Sequence, residues 1–438
     1  MSASKFILAS STALTLSMSA AFAADGNQAY LDQTGNDHSA LITQSDGDSN
    51  VAGTDTQNVT QNGFLNQLTI LQSGDGNSIG EGANANAAVD GVIQQMNGSN
   101  PRAGAVGNDL SVTQTSDDNT VGAVSQTGST TGVLKGNTAQ IAQGDAAGDG
   151  DGNTVGDVTQ IKGSSARNEL TVSQTGNNNM LASVRQLNRK GGTAANDNEA
   201  SVTMTGDNNG NGALTGFALS SGATSSNVIQ GLRTSPIESS AWGSAADIII
   251  TGDDSEFGVT QVGGYNSIGT LTIGGNRNQV GTYQIGTSNL ISVVGVSGDD
   301  NNIGMRQDGF SNTGSVDVTA GNGNVVGTDQ TGSDNSVTVT IIGNDNGAPD
   351  LFSGNAATLG LTEGLLVQDG LSNIATLDVG GLSASNNNLF AMAQIGDDNI
   401  ANGKQDGVSN QAALTQDGGN NVGVFSQNGT GNNAAISQ

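Results

Sequence analysis

Cysteine is absent from this chain, so no disulfide framework can hold it together. Histidine occurs once, at His38, which excludes HExxH zinc sites and any multi-histidine metal centre. Proline occurs three times, at Pro101, Pro236 and Pro349, and aromatic residues make up 3% of the chain. So few bulky side chains exclude a conventional large globular core. Basic residues are scarce, 12 against 40 acidic ones. The net charge of −28 argues against binding nucleic acid or an anionic membrane through the chain as a whole. No apolar run reaches membrane-spanning length. The longest, such as residues 246–250 and 290–296, are the size of strands. No Walker loop is present.

What the chain does have is glycine, 67 of 438 residues, about double the usual share, and a strict short period. Gln394, Gln405, Gln416, Gln427 and Gln438 recur at fixed spacing. The first four each open a unit of the form Gln-x-Gly-x-x-Asn-x-(small or apolar)-x-x-x, with Asn410, Asn421 and Asn432 at the asparagine place of the last three. The same grammar opens at Gln33, leading to Gln44, and at Gln61, leading to Gln72. Units at Gln330 and Gln368 follow it with Ile341 and Val379 in the closing glutamine place. Composition alone would also suit a disordered chain, but a merely solvated chain has no reason to keep a register.

Within a unit the pattern alternates. In NQLTILQ, Asn66, Leu68, Ile70 and Gln72 share one face, and Gln67, Thr69 and Leu71 the other. Period two with β-branched residues is a strand, and the following Gly/Asn/Asp residues tolerate turns. The expectation is an all-β fold: a β-solenoid of stacked strand-turn-strand repeats, about 11 residues per strand plus turn and about 22 per coil. Inward Gln and Asn are costly to bury alone. Stacked in register, each side-chain amide can donate to one copy and accept from another. The ladder candidates are Gln33, Gln44, Gln61, Gln72, Gln394, Gln405, Asn410, Gln416, Asn421, Gln427, Asn432 and Gln438; Gln186 and Gln230 lie beside an irregular middle. A variant, Asn-x-(Val/Ile/Ala)-Gly, puts the next glutamine one residue late from Asn119 to Gln126 and from Asn153 to Gln160, which predicts a β-bulge.

Residues 1–23 read as a secretory signal: Lys5, an apolar-to-small run over 6–17, and Ala21-Phe22-Ala23 as a cleavage site. Residues 24–438 form the repeat region, with irregular segments near 80–107, 187–246 and 342–366 that contain the three prolines and Trp242. These segments read as loops or imperfect rungs rather than separate domains.

The unit resembles the curlin repeat of curli fibre subunits, Ser-x5-Gln-x-Gly-x-x-Asn-x-Ala-x3-Gln. Gln405, Gly407, Asn410, Ala412 and Gln416 match it residue for residue. Gln33, Gly35, Ala40 and Gln44 match too, with His38 at the asparagine place. The resemblance implies a secreted bacterial functional amyloid that polymerises at the cell surface as a fimbrium for adhesion and biofilm. It implies related curli subunits and an outer-membrane secretion pore as partners, beside self-association. The chain departs from it in having far more rungs than a five-repeat subunit and in replacing Ala by Val, Ile or Leu in many units.

No catalytic, cofactor or metal site is expected, and the chain does not read as an enzyme. The carboxylate pairs Asp117-Asp118, Asp253-Asp254, Asp299-Asp300 and Asp397-Asp398 recur in turns without a unique cleft. Asp149-Gly150-Asp151-Gly152-Asn153 resembles the start of a calcium loop, but has Thr154 and Gln160 where Gly and Glu belong. Residues 394–438 are the best candidate docking end, since the sequence stops on a ladder residue with no cap after it. The alternative reading is a monomeric capped solenoid adhesin, with calcium as an optional stabiliser.

Overall fold

The computed structural model describes residues 25–53, 59–80, 93–96, 107–128, 136–145, 150–162, 168–188, 198–233, 238–240, 244–347, 350–381 and 385–438. The expected signal segment, the three prolines, Trp242 and Asp149 lie outside the described residues. The chain divides into two compact units, residues 1–211 with 228–245, and residues 212–227 with 246–438.

Both units are β-solenoids, built by one local rule. Inward residues of each strand are apolar or amide-bearing and outward residues are small or polar, as in Gln67–Ser73, where Leu68, Ile70 and Gln72 are buried and Gln67 and Thr69 exposed. In the first unit one sheet stacks Ser39–Ser45, Gln67–Ser73, Asp109–Gln114, Thr138–Gln143, Asn168–Gln174 and Asn198–Met204 in parallel. The facing sheet stacks Leu31–Asn36, Val59–Phe64, Ile93–Met96, Val124–Thr127, Thr154–Lys162 and Met180–Asn188. In the second unit one sheet runs from Glu256–Gly264 through Gln279–Thr287, Asn302–Phe310, Val325–Ser333, Leu365–Leu371, Leu389–Ile395 and Gln411–Asp417 to Asn433–Ser437. Its partner runs from Leu271–Ile273 to Val422–Thr430. Pairing mostly joins equivalent residues, Gln to Gln and Gly to Gly, so inward columns carry long runs of one side-chain type.

Turns close because glycine is where only glycine fits. Gly309 has φ +134°, and a Cβ there would lie 1.9 Å from the Gly332 carbonyl oxygen of the next rung. Two residues on, Ser311 takes a left-handed φ of +55° just before the corner asparagine; Ser, Asp and Asn fill most of these stations because short polar side chains tolerate that conformation.

The coil length is not constant. Successive ladder glutamines stand 22 residues apart at Gln394, Gln416 and Gln438, 23 apart from Gln261 to Gln330, 42 apart between Gln72 and Gln114, and up to 44 apart between Gln186 and Gln230. The average is about 26 residues per turn. Insertions add length at corners while the strand register is kept. The bulge in the Asn-x-Val-Gly units is present in the first unit: Val155 and Val158, three apart, are both fully buried, so one extra residue sits between inward stations. In the second unit Asn278 to Gln284 keeps strict alternation. Within the segments read as irregular, Asn198–Met204 and Asn227–Arg233 are strands, a short helix spans Gly216–Ser220, and a 3-10 turn spans Ala356–Leu359.

Candidate functional site

The repeated feature that could do chemistry is the pair of amide columns. In the sheet that contains Gln33, Gln33 donates to Gln61 Oε1 at 2.5 Å, and Gln126, Gln160, Gln186 and Gln230 form a chain of donors and acceptors at 2.9, 2.8 and 2.9 Å. In the second unit the chain runs Gln261, Gln284, Gln307, Gln330, Gln368, Gln394, Gln416 and Gln438, every step between 2.8 and 3.0 Å. From Gln284 to Gln438 each Nε2 also reaches a backbone carbonyl of the opposite sheet, as Gln307 does to Leu290 O at 3.2 Å. Every one of these bonds has the same sense: the amide nitrogen of one rung donates to the amide oxygen of the following rung.

The facing sheet begins alike, Gln44 to Gln72, Gln114, Gln143 and Gln174 at 2.9 to 3.0 Å. It then loses its glutamines. Gln174 stacks on Met204, its Nε2 3.7 Å from the sulfur. In the second unit the station is filled by Ile250, Ile273, Val296, Val318, Ile341 and Val379 before glutamine returns at Gln405. Gln405 donates to Gln427 at 2.8 Å, but its own Oε1, which faces Val379, is buried with no partner. That orphan follows from the polarity of the ladder, because the first amide after an apolar stretch has nothing to accept from.

Corner asparagines form a second kind of column. Asn410 N donates to Asn388 Oδ1 at 3.0 Å, Asn421 N to Asn399 Oδ1 at 3.0 Å, and Asn432 N to Asn410 Oδ1 at 3.1 Å. Their side-chain nitrogens reach turn carbonyls, for example Asn410 Nδ2 to Gly429 O at 3.1 Å. His38 does the same work. Its Nδ1 accepts from Asn66 N at 3.3 Å, and its Nε2 lies 3.2 Å from Thr34 O. Burial lowers the pKa of the ring, outweighing the Thr34 contact and Asp37, which favour the charged form.

The structure thus places all twelve predicted residues at ladder stations: Gln33, Gln44, Gln61, Gln72, Gln394, Gln405, Gln416, Gln427 and Gln438 in the glutamine columns, and Asn410, Asn421 and Asn432 in the corner columns. Gln186 and Gln230, set apart in the sequence, are fully buried ladder members of equal rank. The clue missed there was the local NVIQ of residues 227–230, which keeps the strand alternation inside an otherwise unpatterned stretch.

The paired carboxylates are turn parts. The first of a pair accepts a backbone N–H from the preceding rung, as Asp117 Oδ1 does from Asp75 N at 2.7 Å and Asp299 Oδ1 from Asn276 N at 2.8 Å. The second, Asp118 or Asp300, holds a left-handed φ. Asp151, from the calcium-like stretch, serves the same column, accepting from Asp117 N at 3.0 Å. Arg277 grips Asp300 through two bonds of 2.7 Å, which hold that carboxyl below its usual range. Among the described residues no three His, Cys, Asp or Glu side chains converge as a metal site, and no helix is long and apolar enough to cross a membrane.

Gln33 to Gln44 is one strand-turn-strand unit, and the family model of the curlin associated repeat matches residues 23–45 around it. No curated protein matches the chain. The curlin repeat and the solenoid together support a curli-like structural or adhesion protein, and the family points to an extracellular or surface location.

Proposed function

We propose that the protein is a subunit of an extracellular curli-like amyloid fibre that self-assembles for surface adhesion and biofilm matrix. The observation that carries this reading is the uniform sense of the glutamine ladders. Every described glutamine-to-glutamine step presents an amide donor toward the following rung and an amide oxygen toward the preceding one. A rung late in one copy is therefore a template for an early rung of another, Gln427 and Gln438 offering N–H groups where Gln33 and Gln44 offer oxygens. Main-chain groups of parallel edge strands add to the match. Self-association is the partner this chemistry selects. Related curli subunits and an outer-membrane pore follow from family resemblance, as does export by a signal segment. A structural rather than enzymatic role fits carboxylates that are engaged in turns.

The test is fibre diffraction and electron microscopy of the protein incubated at high concentration. Fibres with reflections near 4.8 Å along the axis and about 10 Å across it are expected. A protein that keeps its β-type circular dichroism yet stays monomeric for days would overturn the fibre reading and favour a monomeric solenoid adhesin.

A further inference from the structure

Two segments that the repeat does not explain are copies of each other. Residues 214–225 read LTGFALSSGATS, and residues 352–363 read FSGNAATLGLTE. Each follows an Asn-Gly pair, Asn209-Gly210 and Asn346-Gly347, at the corner where a strand would otherwise begin. Each closes on itself across eleven residues: Leu214 N donates to Ser225 Oγ at 2.7 Å, and Phe352 N to Glu363 Oε1 at 2.7 Å.

Both lie on the outward side of the second unit's strands and make the same bonds there. Thr215 donates through N and Oγ1 to Gln279 Oε1 at 2.8 and 2.7 Å; Ser353 donates through N and Oγ to Gln411 Oε1 at 2.7 and 3.0 Å. Ala218 N donates to Asn302 Oδ1 at 2.9 Å, and Ala356 N to Asn433 Oδ1 at 2.9 Å. Asn302 Nδ2 returns a bond to Thr215 O at 3.0 Å, and Asn433 Nδ2 one to Ser353 O at 2.7 Å. Gly216 and Gly354 carry φ of +52° and +53°, and a Cβ on either would press on the asparagine below, at 2.9 and 3.2 Å.

The receiving residues occupy one outward station, directly after the corner asparagine, on consecutive rungs. Elsewhere at that station the described strands carry Gln28, which is followed by Val51, then Ser78, Thr120, Thr154, Met180, Glu256, Val325 and Leu389. Glutamine followed one rung later by asparagine occurs there only at the two docked segments.

We propose that the outward Gln–Asn pair is a binding site for a transferable turn of the form apolar-(Thr/Ser)-Gly-x-Ala, and that the pair alone decides which rungs each segment clamps. Recognition is of backbone and of one hydroxyl. One acceptor oxygen reads the Thr/Ser amide and hydroxyl, and one carboxamide reads an N–H and a carbonyl three residues apart. The position between Gly and Ala is free to differ, and Phe217 and Asn355 stand there at equivalent places.

Amide hydrogen exchange on the full-length protein tests this, following peptides that cover residues 212–225 and 350–363. Asn433→Ala should speed exchange in the second segment at least tenfold and leave the first unchanged; Asn302→Ala should do the reverse. Replacing residues 352–363 by the sequence of 214–225 should keep the transplanted turn protected, whereas a scrambled sequence of the same composition should lose protection. Slow exchange of the Gln394–Gln416 rungs confirms that each variant is folded. A transplant that exchanges as fast as the scrambled control, or an Asn433→Ala variant with unchanged protection, would overturn the proposal.

Discussion

Replacing a ladder glutamine by leucine, which has nearly the same volume, should hurt very unequally at two sites. Gln307 lies inside an unbroken column. Gln307→Leu leaves Gln330 Oε1 without its donor in a fully buried place and takes the acceptor from Gln284 Nε2, which keeps only its bond to Ser267 O at 3.2 Å. A stranded buried acceptor costs about 1–3 kcal/mol and a lost neutral hydrogen bond about 1 kcal/mol, so the sum is about 2–4 kcal/mol. Gln405→Leu does something different. It removes an amide oxygen that is already orphaned against Val379 and puts leucine on an apolar column that runs from Ile250 to Val379. Gln427 Oε1 then loses its donor, but that residue keeps 6% of its surface in water and its own bond to Gln411 O at 2.8 Å. One orphan vanishes as another forms, and the net change should stay within about 1 kcal/mol. Because stacked rungs open locally rather than all at once, the measurement is native-state amide exchange at the substituted rung and its neighbours. A difference of about 2 kcal/mol is roughly thirtyfold in exchange rate. Equal effects, or a larger effect at Gln405, would refute a polar ladder that runs in one direction.

Three further outcomes follow from particular groups. His38 must be neutral at Nδ1 to accept from Asn66, and its folded pKa is lowered, so its contribution is present above the unfolded value near 6.5 and fades as pH falls through the lower folded one; His38→Asn should abolish that loss, read as exchange at Asn66 from pH 4 to 8. Glu256 accepts from Gly212 N while its other oxygen is buried without a partner, and burial, aided by Asp254, pushes it up to about 7; because the folded state prefers the proton, stability of the first docked turn should fall between pH 4.5 and 7 and stay low above, and Glu256→Gln should flatten the profile, with an unchanged slope counting against it. Asp48, Asp75, Asp117 and Asp151 stack in one turn column, where like charges about 4.8 Å apart repel by roughly 0.9 kcal/mol even in water; Asp117→Asn keeps the acceptor for Asp75 N, and should raise the melting temperature in 10 mM salt and lose that advantage in 300 mM salt.

The strand-turn-strand unit was legible in the sequence because its two periods are local. Alternation within NQLTILQ states which side chains turn inward, and Gly, Asn and Asp state where the chain can take a positive φ. The recurrence of glutamine then requires stacking in register, since only a copy of itself satisfies a buried carboxamide on both sides. His38 also read correctly as an asparagine substitute, because a neutral imidazole nitrogen can accept where a carboxamide oxygen would.

Three-dimensional contact decided the rest. The sequence does not say which glutamine sits above which once coils lengthen from 22 to 44 residues, nor that Gln186 and Gln230 remain in line across an insertion. Ladder polarity, and with it the stranded oxygen of Gln405, exists only when rungs are stacked. The kinship of 214–225 and 352–363 was hidden because most of their shared hydrogen bonds are made by backbone groups, which leave only a short, degenerate side-chain pattern to read. Their partners, Gln279 and Gln411, lie 64 and 58 residues further along the chain. What is repeated along the chain fixes the rung; what meets across rungs is settled by the coil, because hydrogen bonds between distant residues leave no period to read.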